Sequence, residues 1–335
     1  MTTIKEIAER AGTSYSTVSR ALNDKKGVSA EFRRQILDLA EEMNYFPHSS
    51  ARALVRNRVG VLGVVITRTG EFAFQNPFYT HMLMGLSATI NSSDYRLLLT
   101  LNGQGSYAAL FQRRLVDGLI IVGNRTDDPN LPDLVKNRIP AVVVPGLPKD
   151  SALDIPSVTA ENYDIFRRAM KYLIDLGHHR IAFISGKMNS LFTIDRVIAY
   201  REVLSEHGIA VRPEYLRESD FSKTDGFTFM GHLLDLPEPP TAVVCMNDLI
   251  TPGALHQIYQ RGLTVPGDIS VLAIGCSENF ELYHPPITAI RTRVTEVGKI
   301  ASRMLIQQIE DGVCEQRHVA VDSELVIRES TGVPA

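Results

Sequence analysis

The 335-residue sequence predicts an all-α helix-turn-helix headpiece followed by an α/β body of parallel, doubly wound sheets in two lobes. Three observations predict it. Two short amphipathic helices joined at a glycine open the chain. From residue 59 the character changes to apolar strand-like runs that alternate with helical patterns over about 230 residues. Composition, at 44% hydrophobic and 22% charged, is that of a globular protein, and the length suits more than one core.

Ile4, Ile7 and Ala8 recur at helical spacing and give the first helix one apolar face. Gly12 ends it, because glycine reaches the left-handed conformation that a sharp corner needs. Thr2 or Thr3 suits the cap at its start, an arrangement that leaves the first amides able to meet a phosphate. Ser14 caps a second helix, where Val18, Ala21 and Leu22 form the buried stripe. The other face of that helix carries Tyr15, Ser16, Thr17 and Arg20, which donate to base edges and phosphates and include no acid. This is the layout of a helix-turn-helix whose second helix enters a DNA major groove; an ordinary helical hairpin with a polar outer face is the competing reading.

Residues 30–43 form a third amphipathic helix capped by Ser29, with Phe32, Ile36, Leu39, Ala40 and Met43 facing inward. Pro47 holds Phe46 in extended geometry and ends it. Residues 48–58 then carry Arg52, Arg56 and Arg58 beside Leu54 and Val55, with helical propensity but little to bury. They read either as a basic linker or as a hinge that folds on DNA, with Leu54 free to wedge between base steps in the minor groove.

In the body, continuous apolar runs at 59–66, 95–101, 118–122, 141–144, 181–184, 242–245 and 271–274 read as strands buried on both faces. Helical patterns at 81–90, 164–176, 198–207 and 252–261 lie between most of them. Ligands of such sheets bind beyond the carboxyl ends of the strands, and a cleft between two lobes gathers those ends from both.

The net charge of −3 divides unevenly: residues 1–58 carry +3 and the remainder −6. A basic head on an acidic body suits contact with nucleic acid through the head alone. Lys5, Glu6, Glu9 and Arg10 interrupt the first helix, unlike a signal peptide, and no apolar run approaches membrane-spanning length, so a cytoplasmic protein is expected. Cys245, Cys276 and Cys314 are far apart, without metal-ligand spacing, and no metal or other cofactor is expected. An enzyme is disfavoured, since no Gly-x-Ser-x-Gly elbow, P-loop or His-Glu-x-x-His motif occurs. His178-His179 reads as basic chemistry at a helix C-terminus.

Ordered motifs run nearly end to end. They include Ile4-Lys5-Glu6-Ile7-Ala8, Ala11-Gly12, Thr17-Val18-Ser19-Arg20, Leu22-Asn23, Asn44-Tyr45 and Ala51-Arg52 with Leu54. Asn76-Pro77-Phe78-Tyr79, Val116-Asp117-Gly118, Leu176-Gly177-His178, Asn247-Asp248, Pro266-Gly267-Asp268 and Pro285-Pro286-Ile287-Thr288 continue them. With these motifs the chain resembles the LacI/GalR family of transcriptional regulators. The resemblance implies a headpiece at 1–46, a hinge helix at 47–58 and a type I periplasmic-binding-protein-like core at 59–335. One lobe of that core is expected at about 60–160 and 292–320, the other at about 162–290 and 321–332. It implies a homodimer on double-stranded DNA, each headpiece on half of a pseudo-palindromic operator, with a small-molecule effector between the lobes. No leucine heptad follows residue 330, so a dimer is expected and not a tail-held tetramer.

Carried over residue by residue, the resemblance gives Tyr15, Ser16 and Arg20 as base readers. Thr3, Ser14, Thr17, Ser19, Asn23, Ser29, Ala51 and Leu54 complete the DNA-binding set. An arginine can donate two bonds to guanine, worth about 1–3 kcal/mol of discrimination. For the effector it gives Arg196 as a fork for hydroxyls or acidic groups, Asn247 for a hydroxyl pair, Thr67 at the end of the first body strand, and Phe78, Tyr79, Phe192 and Phe221 as lining. A surface ion pair with Asp195 is the plainer reading of Arg196, and Asp248 reads as the cap of the helix that follows it.

The sequence departs from many sugar-binding members at two points. Ile274-Gly275-Cys276-Ser277 stands in place of an acid pair, and Pro145 replaces another polar position. The runs Phe72 to Tyr79 and Ser219-Asp220-Phe221-Ser222 resemble the maltose-operon repressor branch. An aromatic-rich, acid-poor cleft then favours stacking on sugar faces, as for an α-glucoside or oligosaccharide. A non-sugar ligand, or a protein partner of the phosphocarrier type, is the alternative.

Overall fold

The computed structural model describes residues 2–22, 26–43, 45, 58–101, 105–123, 125–148 and 151–335, and the chain divides into two compact units, Met1–Gly60 and Val61–Ala335. Asn23, Ala51 and Leu54, with the hinge from 47 to 57, lie outside the described residues.

In the first unit α1 (Ile4–Arg10), α2 (Tyr15–Leu22) and α3 (Ala30–Glu42) follow the sequence pattern within a residue or two. Thr3 and Glu6 form a reciprocal capping box on α1, the Glu6 carboxylate accepting from Thr3 N–H at 2.9 Å. Gly12 makes the corner at φ +63°. Ser14 accepts from Thr17 N–H at 3.2 Å, and Ser29 from Phe32 N–H at 3.2 Å, so both helices have side-chain caps. Ile7, Ala8, Val18, Ala21, Ile36 and Ala40 form the enclosed core, with Phe32, Leu39 and Met43 packed at its margin. Leu22, expected in the buried stripe, is half-buried at the same margin.

The second unit holds two six-stranded sheets. The first contains β1 (Val61–Ile66), β2 (Arg96–Leu101), β3 (Gly118–Val122), β4 (Ala141–Val144), β5 (Ser157–Ala160) and β11 (His318–Val321), all parallel, in the order β11-β5-β4-β3-β1-β2. The second contains β6 (Ile181–Ser185), β7 (Leu216–Glu218), β8 (Ala242–Cys245), β9 (Ser270–Gly275), β10 (Thr288–Arg291) and β12 (Glu324–Val326). Its order is β12-β10-β9-β8-β6-β7, and only β12 is antiparallel to its neighbour.

Period-two alternation builds the first lobe. Leu62, Val64 and Ile66 face α5 (Pro77–Ile90) and α12 (Val294–Asp311), while Val65 faces α6 (Tyr107–Gln112) and α7 (Leu131–Lys136). Gly85 and Gly298 let α5 and α12 cross closely: a Cβ on Gly85 would fall 2.0 Å from the Thr295 carbonyl oxygen. In the second lobe α8 (Tyr163–Asp175), α9 (Leu191–Glu206), α10 (Lys223–Leu234) and α11 (Ile250–Gln260) enclose one continuous core around Phe166, Phe183 and Tyr200. The chain passes between lobes after β5, after β10 and between β11 and β12.

Two sequence readings are corrected here. His178 is no surface helix-terminus charge: it is 1% exposed, with Nδ1 2.9 Å from Thr241 Oγ1 and Nε2 2.9 Å from the Gly332 carbonyl oxygen. It ties the end of α8 to the C-terminal segment, and burial lowers its pKa. Asp248 does not cap α11. That role belongs to Asn247, whose Oδ1 accepts from Leu249 N–H at 3.0 Å and Ile250 N–H at 2.8 Å.

Candidate functional site

On the N-terminal unit, α2 presents Tyr15, Ser16 and Arg20 exposed, with Thr17 and Ser19 half-buried behind them. Tyr15 is 54% exposed, a large ring left in solvent by a core otherwise closed. The hydroxyls of Ser14, Ser16 and Thr17 bond one another at 2.7 and 2.9 Å, which fixes their geometry at the start of the helix. Thr3 and Glu6 satisfy each other's backbone N–H groups in the capping box, which places a carboxylate beside the amide end of α1. Thr2 Oγ1 instead donates to the Met43 carbonyl at 2.9 Å and anchors the start of α1 on the end of α3.

In the second unit both sheets reverse strand order, between β1 and β3 and between β6 and β8, and ligand crevices form at such points. The carboxyl ends of both sheets converge on one cavity of about 100 Å³. Arg68 follows β1, Gly123 follows β3, Pro145 follows β4 and Ala160 ends β5. From the other lobe come Met246, Asn247 and Asp248 after β8, and Ile274, Gly275 and Cys276 at the end of β9.

Aromatic rings close the space from both sides. Phe72 on α4 (Gly70–Gln75) lies 6.3 Å from Phe221, and Phe78 lies 6.2 Å from Phe192, each pair bridging the lobes. The Arg68 guanidinium stands 5.4 Å from the centre of the Phe221 ring. Phe221 is held at φ +63°, with its carbonyl accepting from Asn247 Nδ2 at 3.0 Å. A backbone bond from Thr126 N–H to the Asn189 carbonyl at 2.9 Å adds a further link between lobes.

Arg196, on the first turns of α9, is 5% exposed. Its Nη1 donates to the Met246 carbonyl at 3.4 Å, its Nε has no hydrogen-bond partner, and its guanidinium sits 5.5 Å from the Phe192 ring centre. Burial pushes its pKa down to about 9, with Asp195 opposing, so it stays charged at neutral pH. The surface ion pair with Asp195 does not form; that carboxylate accepts from Asn162 Nδ2 at 3.2 Å.

The Asp248 carboxylate is buried in the wall and accepts from Cys276 N–H at 3.2 Å and Ser277 N–H at 2.9 Å. Burial raises its pKa against those two bonds. It also explains Gly275: a Cβ there would fall 2.4 Å from Asp248 Oδ1. The acid absent from the 275 position thus has a neighbouring carboxylate in its space.

Of the sequence-derived effector residues, Phe78, Tyr79, Phe192, Arg196, Phe221 and Asn247 line the cavity. Thr67 does not. Its hydroxyl donates to the Gly123 carbonyl, because the end of β1 turns that side chain toward the neighbouring strand. Sequence reasoning missed Arg68, Phe72 and Asn76; the aromatic run from Phe72 was the available signal. Burial raises the Tyr79 hydroxyl's pKa, while Arg68 opposes it. The three cysteines are buried free thiols, and among the described residues no cluster of ligating side chains is placed to hold a metal.

This is a ligand-binding, two-lobed body attached to a helix-turn-helix unit, the class of protein that regulates transcription in response to a small molecule. The comparisons with known proteins agree. Residues 3–48 match the model for bacterial regulatory proteins of the lacI family, and residues 170–331 match a periplasmic binding protein-like domain. The HTH-type transcriptional repressor CytR of Escherichia coli is 30% identical, covering 98% of this chain and 96% of the relative. The repressor PurR of Aliivibrio salmonicida is 29% identical over 98% and 99%. The lac repressor dimer bound to operator superposes with a TM-score of 0.86 at 25% identity over 99% of both chains. The regulator CelR in complex with cellobiose gives 0.74 at 26% identity, covering 98% and 100%. The chain belongs to the LacI family of DNA-binding transcriptional regulators.

Proposed function

We propose that this regulator is a repressor that binds a pseudo-palindromic operator as a homodimer and is switched by a carbohydrate held between its lobes. The observation that carries the reading is the cavity itself: a buried guanidinium at Arg196, with a free donor, among aromatic rings contributed by both lobes. Rings offer faces for sugar carbons, while Arg196 and Asn247 offer polar groups for hydroxyls. The similarity to a cellobiose-bound regulator supports the class, and an α-glucoside or short oligosaccharide fits an aromatic-rich wall. Tyr15, Ser16 and Arg20 read bases, supported by Thr3, Ser14, Thr17, Ser19, Asn23 and Ser29. Ala51 and Leu54 act from a hinge between a headpiece at 1–46 and a core at 59–335.

Ligand affects DNA only through a difference in affinity between states. Closure on the sugar shifts the core, and operator affinity changes with it through linkage. The test is titration of operator-bound full-length protein with maltose-type and other neutral or substituted sugars. One or more should change operator affinity, and Arg196→Ala should abolish the response while operator binding persists. A normal response in that variant would overturn the site assignment.

A further inference from the structure

The cavity wall holds more positive than negative charge, and the positive groups come from opposite lobes. Arg68 follows β1 in the first lobe and Arg196 lies in the second turn of α9 in the second, and both line the cavity. Neither forms a salt bridge with a carboxylate among the described residues. Each guanidinium instead stacks near a ring, Arg68 on Phe221 and Arg196 on Phe192. Asp248 is the one acid among the described lining residues, and both of its oxygens are already bonded to backbone N–H groups. Gly275 and Pro145 bring no carboxylate to clamp hydroxyls.

Arg196 is a buried cation on which Asp195 acts through space without forming a salt bridge, and such a group is costly unless a ligand supplies a closer partner. Guanidinium groups match carboxylate and phosphate oxygens through paired N–H donors, whereas neutral hydroxyls give up that charge term. Arg196 Nε is buried and has no acceptor, so its donor capacity is unspent. We propose that the effector carries an anionic oxygen group, a carboxylate or a phosphate, and that Arg68 and Arg196 grip it from opposite lobes. This rests on the reading of the cavity as the effector site. It makes the ligand an acidic or phosphorylated sugar, and it makes the anion the link that holds the lobes together.

The experiment measures binding to the full chain at millimolar glucose, maltose, glucuronate, glucose 6-phosphate and inorganic phosphate, by calorimetry and thermal shift. Glucuronate or glucose 6-phosphate should bind well above their neutral counterpart, and which of the two binds distinguishes carboxylate from phosphate. Arg68→Gln should weaken that binding by roughly tenfold or more, and Arg68→Lys, which keeps the charge but loses the paired donors, should recover only part of it. Arg196→Gln should weaken it at least as far. Maltose or glucose binding that is sensitive to Arg196→Gln and indifferent to Arg68→Gln would overturn the anionic clamp and leave the neutral-sugar reading standing. Inorganic phosphate binding that needs both arginines, with no sugar bound, would keep the clamp and overturn the carbohydrate. Binding of none of the five would overturn the clamp.

Discussion

In the N-terminal unit six enclosed side chains support a helix whose proposed reading residues, Tyr15, Ser16 and Arg20, stay in solvent. In the body the proposed gripping group Arg196 is itself enclosed, at 5% exposure, and Arg68 and Asn247 are half-buried at the same cavity. The difference follows from what each proposed partner requires. A DNA groove comes to the protein with its own charge and shape, so the protein needs a rigid small scaffold and a bare polar face. A small ligand must be surrounded, so two lobes with large cores have to hold polar groups out of water without satisfying them fully. The small unit has little stability to lose, while the large one buries two extensive cores.

The first way to break that contrast is an equal insult to both cores. Ile36→Ala in the N-terminal unit and Leu305→Ala in the body each remove a fully buried side chain, at about 2–5 kcal/mol. The first should unfold its unit and abolish operator binding. The second should lower the melting temperature of the body and leave it folded. Circular dichroism melts read beside operator binding check this, and an intact headpiece in Ile36→Ala would contradict it.

A smaller effect sharpens the comparison through pH. His178 is buried and its folded pKa lies below the ordinary 6.5. Below that pH the unfolded chain takes up a proton that the folded body refuses. Stability is therefore full above pH 6.5 and falls as pH drops through it, by up to about 1.4 kcal/mol per pH unit. Urea denaturation of the full chain between pH 8 and pH 5 should show a slope that His178→Asn reduces. An equal slope in that variant would assign the effect elsewhere.

The smallest effect lies at a cap. Ser29→Ala removes the acceptor for Phe32 N–H and should cost about 1 kcal/mol in the N-terminal unit alone. Hydrogen exchange would locate the loss in α3, with the body unchanged.

The same contrast decides what the sequence made legible. The headpiece could be read because caps and periodicity are local: Thr3, Ser14 and Ser29 sit one helix-start ahead of apolar stripes. Apolar runs gave seven strands of the body, but β5, at Ser157–Ala160, is half polar and was missed. Helix α10 was missed too, since Gly226 and Gly231 interrupt its apolar pattern. At the cavity the aromatic residues were visible as a run, whereas Arg68 carried no signal in its own neighbourhood. The cap fell to Asn247 and not to Asp248, because both have capping chemistry at one strand end and only the fold decides which oxygen turns toward the helix. His178 was misread for a related reason, and the bond of Thr67 was not legible for the same one: their partners, Gly332 and Gly123, are distant in sequence.

The most direct test of a reading head and a switching body is fluorescence anisotropy on an operator enriched from random duplexes, with and without the carbohydrate ligand. Arg20→Gln should lose about 1–3 kcal/mol of sequence-specific affinity and keep ligand binding. Arg196→Gln should keep operator affinity and lose the ligand response. A ligand response that survives Arg196→Gln, or specific affinity that survives Arg20→Gln, would contradict the account.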